Sequence, residues 1–242
     1  MYHIFKRQLF LLHFAGGNSY SYNFLKDKLS EFFEFIPLEL PGRGKRFQEQ
    51  LLTTKESAIQ DYFNQIKSLR NDQPYLIYGH SMGATLGLSV TKCMENVNDA
   101  PLHLLVTGNA GPNIKGKDKT IRYLLNNIDF KEELRALGGV PEEVLINEEL
   151  FDFFSPILRS DFEVLEKDNY HERGMVIQTP ITAIMGDEEE TMVDIDNWKK
   201  FTDGDFSSQL MKGNHFFIYN HEIELSNTLK RLAITSISIP NE

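Results

Sequence analysis

Five residues, Gly79-His80-Ser81-Met82-Gly83, constrain this chain more than any other segment. They follow an apolar, strand-like run at residues 75–78 and open a segment with helical spacing at residues 82–96. Turning from strand to helix in so few residues demands a sharp, strained backbone. Small residues flanking the serine let that turn approach its neighbours without a Cβ clash. The Ser81 hydroxyl is then expected to project at the carboxyl end of a sheet. Behind it a helix N-terminus and exposed backbone N–H groups favour developing negative charge. The pattern G-x-S-x-G is weak alone, but between a strand and a helix it marks a candidate nucleophile.

The rest of the chain repeats the alternation. Residues 9–14 are apolar and end at Gly16-Gly17, residues 20–31 have helical spacing, and residues 35–40 are strand-like and stop at Pro41-Gly42. A helical segment at 55–69 precedes the serine, and a further strand is expected at 102–107. This rhythm predicts a mostly parallel sheet flanked by helices. It breaks between about residues 112 and 178, where only helical patches appear, at 120–127, 130–137, 148–154 and 156–167. Sixty-odd helical residues between two strands predict an inserted helical lid. The pattern resumes with strands at 181–185 and 206–211 and helices at 194–201 and 216–232. With no repeat and no dividing linker, the expectation is a single α/β domain over residues 1–242.

Composition narrows the function classes. Acidic residues outnumber basic ones 35 to 25, a net charge of −10, which disfavours broad nucleic-acid binding. No apolar run reaches the roughly 18 residues needed to cross a bilayer. Lys6 and Arg7 before Leu9-Phe10-Leu11-Leu12 superficially resemble a secretory signal, but His13 interrupts a short run, and a first buried strand is the preferred reading. The single cysteine, Cys93, excludes an intrachain disulfide and a Cys-rich zinc site. A reducing cytoplasm fits that usage.

A serine needs a base oriented by an acid to act as a nucleophile near neutral pH. The seven histidines are His3, His13, His80, His103, His171, His215 and His221. His215 follows Lys212-Gly213-Asn214 directly after the last strand, on a loop at the carboxyl edge, and is the candidate base; His221 reads as a surface residue. For the acid, the strand at 181–185 runs into Gly186-Asp187-Glu188-Glu189-Glu190, and the residues alone leave all four carboxylates open.

Taken together these segments resemble the type II thioesterases of non-ribosomal peptide and polyketide synthesis, which are α/β-hydrolases. Phe14-Ala15-Gly16-Gly17 resembles the family's oxyanion loop, although His13 stands where proline is usual. Leu40-Pro41-Gly42-Arg43-Gly44, the elbow, and Gly213-Asn214-His215-Phe216-Phe217 match three more motifs. Leu137-Gly138-Gly139-Val140-Pro141 and Leu158-Arg159-Ser160-Asp161 resemble signatures of the lid. The family's acid lies three residues after the strand-ending glycine, which is Glu189 here in place of the usual aspartate; Asp187 is the alternative.

The resemblance implies hydrolysis of acyl or aminoacyl thioesters on the phosphopantetheine arm of a carrier protein. Ala15 and Met82 would supply oxyanion-hole N–H groups, and the protein itself would bind no metal and no cofactor. The rivals are an acyl-CoA thioesterase or carboxylesterase of the same fold and, more remotely, a non-catalytic binder. Phe151, Phe153, Phe154 and Phe162 are candidates for lining an acyl pocket or for plain core, and Arg159 with Asp161 is expected to form a structural pair. Lys115, Lys117, Lys119 and Arg122 form a basic stretch that reads equally as a carrier-docking patch or as a solvated linker.

Overall fold

The computed structural model describes residues 6–114, 120–167 and 172–235. Six strands make one sheet: β1 (Arg7–Leu12), β2 (Phe33–Pro37), β3 (Tyr75–His80), β4 (His103–Thr107), β5 (Ile181–Gly186) and β6 (Phe206–Met211). All neighbours pair in parallel, in the order β2-β1-β3-β4-β5-β6. The run that resembles a secretory signal is thus an inner strand, β1. Parallel pairing puts every carboxyl end on one edge. The chain leaves β1 for β2 on one side and returns to β3 on the other, so the loops after β1 and β3 diverge and open a crevice.

Alternation along the strands builds two cores. Phe10, Leu12, Ile77, Leu104, Val106, Ala183 and Met185 face one side, where α2 (Lys55–Leu69) and α3 (Met82–Asn96) cover them. Leu9, Leu11, Leu76, Tyr78, Leu105 and Ile184 face the other, under α1 (Asn23–Leu29) and α7 (Glu222–Thr235). Cover on both faces explains why β1, β3, β4 and β5 are buried along nearly their whole length. β6 is the outer strand on its side and exposes Ser207, Ser208 and Gln209.

Between β4 and β5 lie α4 (Asn127–Leu137), α5 (Glu142–Ile146) and α6 (Glu148–Glu166). These helices have an apolar cluster of their own, with Phe130, Leu134, Leu145, Phe151, Leu158 and Phe162. The break expected at Pro156 is absent, because α6 runs through it. A proline inside a helix sacrifices one hydrogen bond and costs about 3 kcal/mol or more. Capping of Leu150 N–H by Asn147 and burial of Phe151, Leu158 and Phe162 offset that cost. Other local readings also change. In the patch expected at 120–127, Arg122–Leu124 forms a 3-10 turn and Asn127 opens α4, and α5 is an unforeseen helix. The segment Met192–Phe201 is 3-10, and the last expected helix divides into a 3-10 turn, Phe217–Asn220, and α7.

Among the described residues no helix is long and apolar enough to cross a membrane. Lys115, Lys117 and Lys119 lie outside the described residues. Arg122 beside them is committed to ion pairs with Glu133 and Glu166.

Candidate active site

Ser81 sits between β3 and α3 with φ 53° and ψ −111°, a left-handed conformation that non-glycine residues adopt only under constraint. The constraint is close packing. A Cβ at Gly79 would stand 2.1 Å from Gly83 O, and one at Gly83 would stand 2.0 Å from Leu12 O. Both positions therefore require glycine. Ser81 N–H donates to Thr107 O at 2.8 Å, fixing the turn to β4. The Ser81 residue itself is partly exposed.

His215 lies on the loop after β6. Its Nδ1 is 2.7 Å from Glu189 Oε2, and the carboxylate's other oxygen accepts Gly186 N–H at 2.8 Å. A carboxylate acceptor puts the proton on Nδ1 and leaves Nε2 with a free lone pair. Asp187 points elsewhere: its Oδ1 accepts Gly213 N–H at 2.8 Å and steadies the loop that carries His215. Glu188 and Glu190 are exposed. The His215 ring lies 4.9 Å, centre to centre, from that of His80, the residue before Ser81. Among the described residues no hydrogen bond joins Ser81 Oγ to His215 Nε2.

The remaining histidines have other surroundings. His80 is buried, with Nδ1 2.9 Å from Thr107 Oγ1; burial, and then the neighbouring His215, holds it well below its ordinary pKa. His103 opens β4 at the opposite edge of the sheet and pairs with Thr182; burial pushes it down to about 4. His221 Nε2 bonds Lys212 O. His3 and His171 lie outside the described residues.

The loop after β1 brings Ala15 to the same edge. Phe14 O accepts Gly17 N–H at 2.9 Å and stands 2.9 Å from His13 Nδ1. Gly16 N–H donates to Asp161 Oδ2 at 2.7 Å. Asp161 in turn takes a two-pronged bond from Arg43, at 2.6 and 2.7 Å, and Arg43 also reaches Gly17 O. The two side chains of this ion pair are only 4% and 1% exposed. Helix α6 is thereby fastened to the loop. The expected pairing of Arg159 with Asp161 does not occur. Residues two apart on a helix do not face each other, and Arg159 donates instead to Tyr123 O, Leu125 O and Asn127 Oδ1. Among the described residues neither Ala15 N–H nor Met82 N–H has a hydrogen-bond acceptor.

A groove of about 390 Å³ opens beside Gly16, between this loop, the turn around Gly42–Gly44 and the first half of α6. Phe47, Leu51, Phe153, Phe154 and Ile157 supply its apolar wall. Of the four phenylalanines singled out in the sequence, Phe153 and Phe154 line the groove, whereas Phe151 and Phe162 belong to the buried cluster of the insertion. Cys93 is partly buried on α3, and burial raises its thiol pKa.

The model of the thioesterase domain family matches residues 7–232. The chain belongs to the thioesterase domain family. Two curated relatives of this thioesterase cover most of both chains. The gramicidin S biosynthesis protein GrsT of Aneurinibacillus migulanus is 32% identical over 225 residues, 91% of this chain and 86% of the relative. The linear gramicidin dehydrogenase LgrE of Brevibacillus parabrevis is 30% identical over 223 residues, 90% and 84% of the two chains. Among solved structures, the type II thioesterase BorB from the borrelidin biosynthetic cluster superposes with a TM-score of 0.82 at 28% identity, covering 95% of this chain and 94% of that one. The fold is that of the α/β-hydrolases, as the family resemblance implies.

Three residues around the candidate site escape sequence reasoning, Arg43, Asp161 and His13. Arg43 and Asp161 are 118 residues apart, and nothing local announces that they meet. The signal that existed was a charged residue in each of two motif-like segments. His13 reads as an interruption of an apolar run, yet it is fully buried with both ring nitrogens engaged.

Proposed function

We propose that this thioesterase hydrolyses acyl or aminoacyl thioesters carried on the phosphopantetheine arm of carrier proteins, as an editing or regenerating partner of non-ribosomal peptide or polyketide synthetases. The observation that carries the reading is the 2.7 Å contact of Glu189 with His215 Nδ1, on the same sheet edge as the strained Ser81. Naming of relatives and of BorB for such pathways supports the substrate class.

In this reading His215 Nε2 takes the Ser81 proton as Oγ attacks the thioester carbonyl. Glu189 holds the ring in the tautomer that leaves Nε2 free and stabilises the imidazolium that forms. The oxyanion is received by Ala15 and Met82 N–H, both without another acceptor. The imidazolium then protonates the departing pantetheine sulfur, leaving Ser81 acylated. Water, deprotonated by His215, attacks the acyl-enzyme, and Ser81 recovers the proton as the acid leaves. No metal or cofactor of the protein's own is needed, since the pantetheine arrives with the substrate. The groove beside Gly16 begins one residue from Ala15, where a chain attached to the reacting carbonyl can run, with the first half of α6 as one of its walls. The single, partly buried cysteine suits a cytoplasmic enzyme.

The test compares acyl-carrier protein, acyl-CoA and a p-nitrophenyl ester as substrates of the full chain and of Ser81→Ala. Carrier-bound thioester should show the highest kcat/KM, and Ser81→Ala should lose all three activities. Preference for acyl-CoA or for the ester would replace the carrier reading with one of its two rivals. Absence of turnover and of fluorophosphonate labelling at Ser81 would leave a binding protein.

A further inference from the structure

The loop that supplies Ala15 N–H is held by two peptide planes, and a buried side chain sets one of them. A peptide unit is rigid and planar, so the direction of Phe14 C=O fixes that of Ala15 N–H, which lies in the same plane and points the opposite way. Phe14 O is held from two sides, by Gly17 N–H at 2.9 Å and by His13 Nδ1 at 2.9 Å. The next plane, between Ala15 and Gly16, is held by Asp161 through Gly16 N–H.

The partners of His13 define its state. A carbonyl oxygen can only accept, so Nδ1 carries the proton. Leu40 N–H donates to Nε2 at 3.3 Å, so Nε2 carries none. The ring is neutral, in one tautomer, and fully buried. We infer that His13 is a positioning residue of this site: through Phe14 C=O it aims the Ala15 N–H at the oxyanion. The inference rests on the reading of Ser81 and Ala15 given under Proposed function. Burial, and then the charge of Arg43, lowers the His13 pKa to about 4, so the ring keeps the required tautomer at ordinary assay pH.

Two amide variants separate the two ring nitrogens. In His13→Asn the side-chain amide falls where Nδ1 was, within reach of Phe14 O, and the bond to Leu40 is lost. In His13→Gln the amide reaches the place of Nε2, serving Leu40 and abandoning Phe14. The expected result is that His13→Gln lowers kcat on an acyl thioester by roughly 10–10² with KM within about twofold, below the 10²–10³ typical of deleting an oxyanion donor. His13→Asn should rescue kcat to within about fivefold of the parent. Affinity for a tetrahedral mimic, an alkyl boronic acid, should fall in parallel with kcat, while the urea midpoints of the two variants need not follow it.

The inference is overturned if both variants keep parental kcat, or if both lose it in proportion to their loss of stability. Ser81→Ala, assayed alongside, tests the underlying reading separately. Hydrolysis surviving in Ser81→Ala would remove that reading and this inference with it. Loss in Ser81→Ala with no difference between the His13 variants would overturn the inference alone.

Discussion

Glu189 and Asp187 stand two residues apart, and their bonds go to different partners. The longer side chain of Glu189 spans from Gly186 N–H to His215 Nδ1, whereas Asp187 stops at Gly213 N–H. Glu189→Gln should therefore lower kcat by about 10³–10⁴, the scale seen when an amide replaces the orienting acid and the wrong tautomer results. Asp187→Asn should cost less than about tenfold. Steady-state kinetics on one acyl thioester checks both, and the reverse ranking would transfer the acid's role to Asp187. Ser81→Ala and His215→Ala should each remove most of the activity, and the double variant should be little worse than either, because the groups act as a unit. Additive losses in the same assay would contradict the pairing. At this scale the candidates Ser81 and His215 came from local signals, a strand–turn–helix serine and a glycine-led histidine after a strand, whereas Glu189 was singled out among four carboxylates only by the family resemblance. His13 and Arg43 were not legible, since their meaning depends on partners far along the chain.

At the scale of elements, α6 is both part of the helical insertion and the anchor of the loop after β1. Its Asp161 neutralises a guanidinium that is 4% exposed. Removing one partner of a buried pair leaves an uncompensated charge and costs about 3–5 kcal/mol. Asp161→Asn should therefore lower the unfolding free energy by roughly that amount in urea titration. Arg159→Ala, which gives up hydrogen bonds from a partly exposed side chain, should cost less, about 1–2 kcal/mol. Equal costs would mean that Asp161 does not depend on Arg43. The strands were legible to within a few residues because periodicity and punctuating glycines or prolines agree there. The helical insertion was legible only in outline. Pro156 argues for a break that tertiary burial overrides, and α5 is too short, at five residues, to show a period.

For the whole molecule, buried histidines make stability depend on pH. His13 and His103 are each pushed down to about 4 by burial, from an ordinary 6.5. Arg43 adds to the shift of His13, while Asp161, Glu39 and the Phe14 carbonyl oppose it. As pH falls below 6.5 the unfolded chain binds protons that the folded chain refuses, so stability is lost through the window from 6.5 to 4, and these two groups add no further loss below it. Near pH 5 the pair contributes a slope of roughly 2.5 kcal/mol per pH unit. Unfolding free energies measured from pH 7 to 4.5 should show at least this slope, because buried His80 is held down in the same direction. His103→Gln, which cannot titrate and keeps a partner for Thr182, should flatten the slope by about one proton; an unchanged slope would contradict the assignment. The parallel sheet was visible in the sequence because cover on both faces leaves long apolar runs. The crevice was not, because it arises from strand order, which no single segment encodes. The insertion between β4 and β5 carries its own apolar cluster and meets the loop after β1 through Leu158 over Gly16 and Asp161 on Gly16 N–H, with Arg43 from the turn after β2 holding Asp161. Selection can therefore redraw the roof while leaving the floor untouched: lineages that inherit the same sheet, serine and histidine are free to trade one clientele of acyl groups for another, provided descendants retain those moorings.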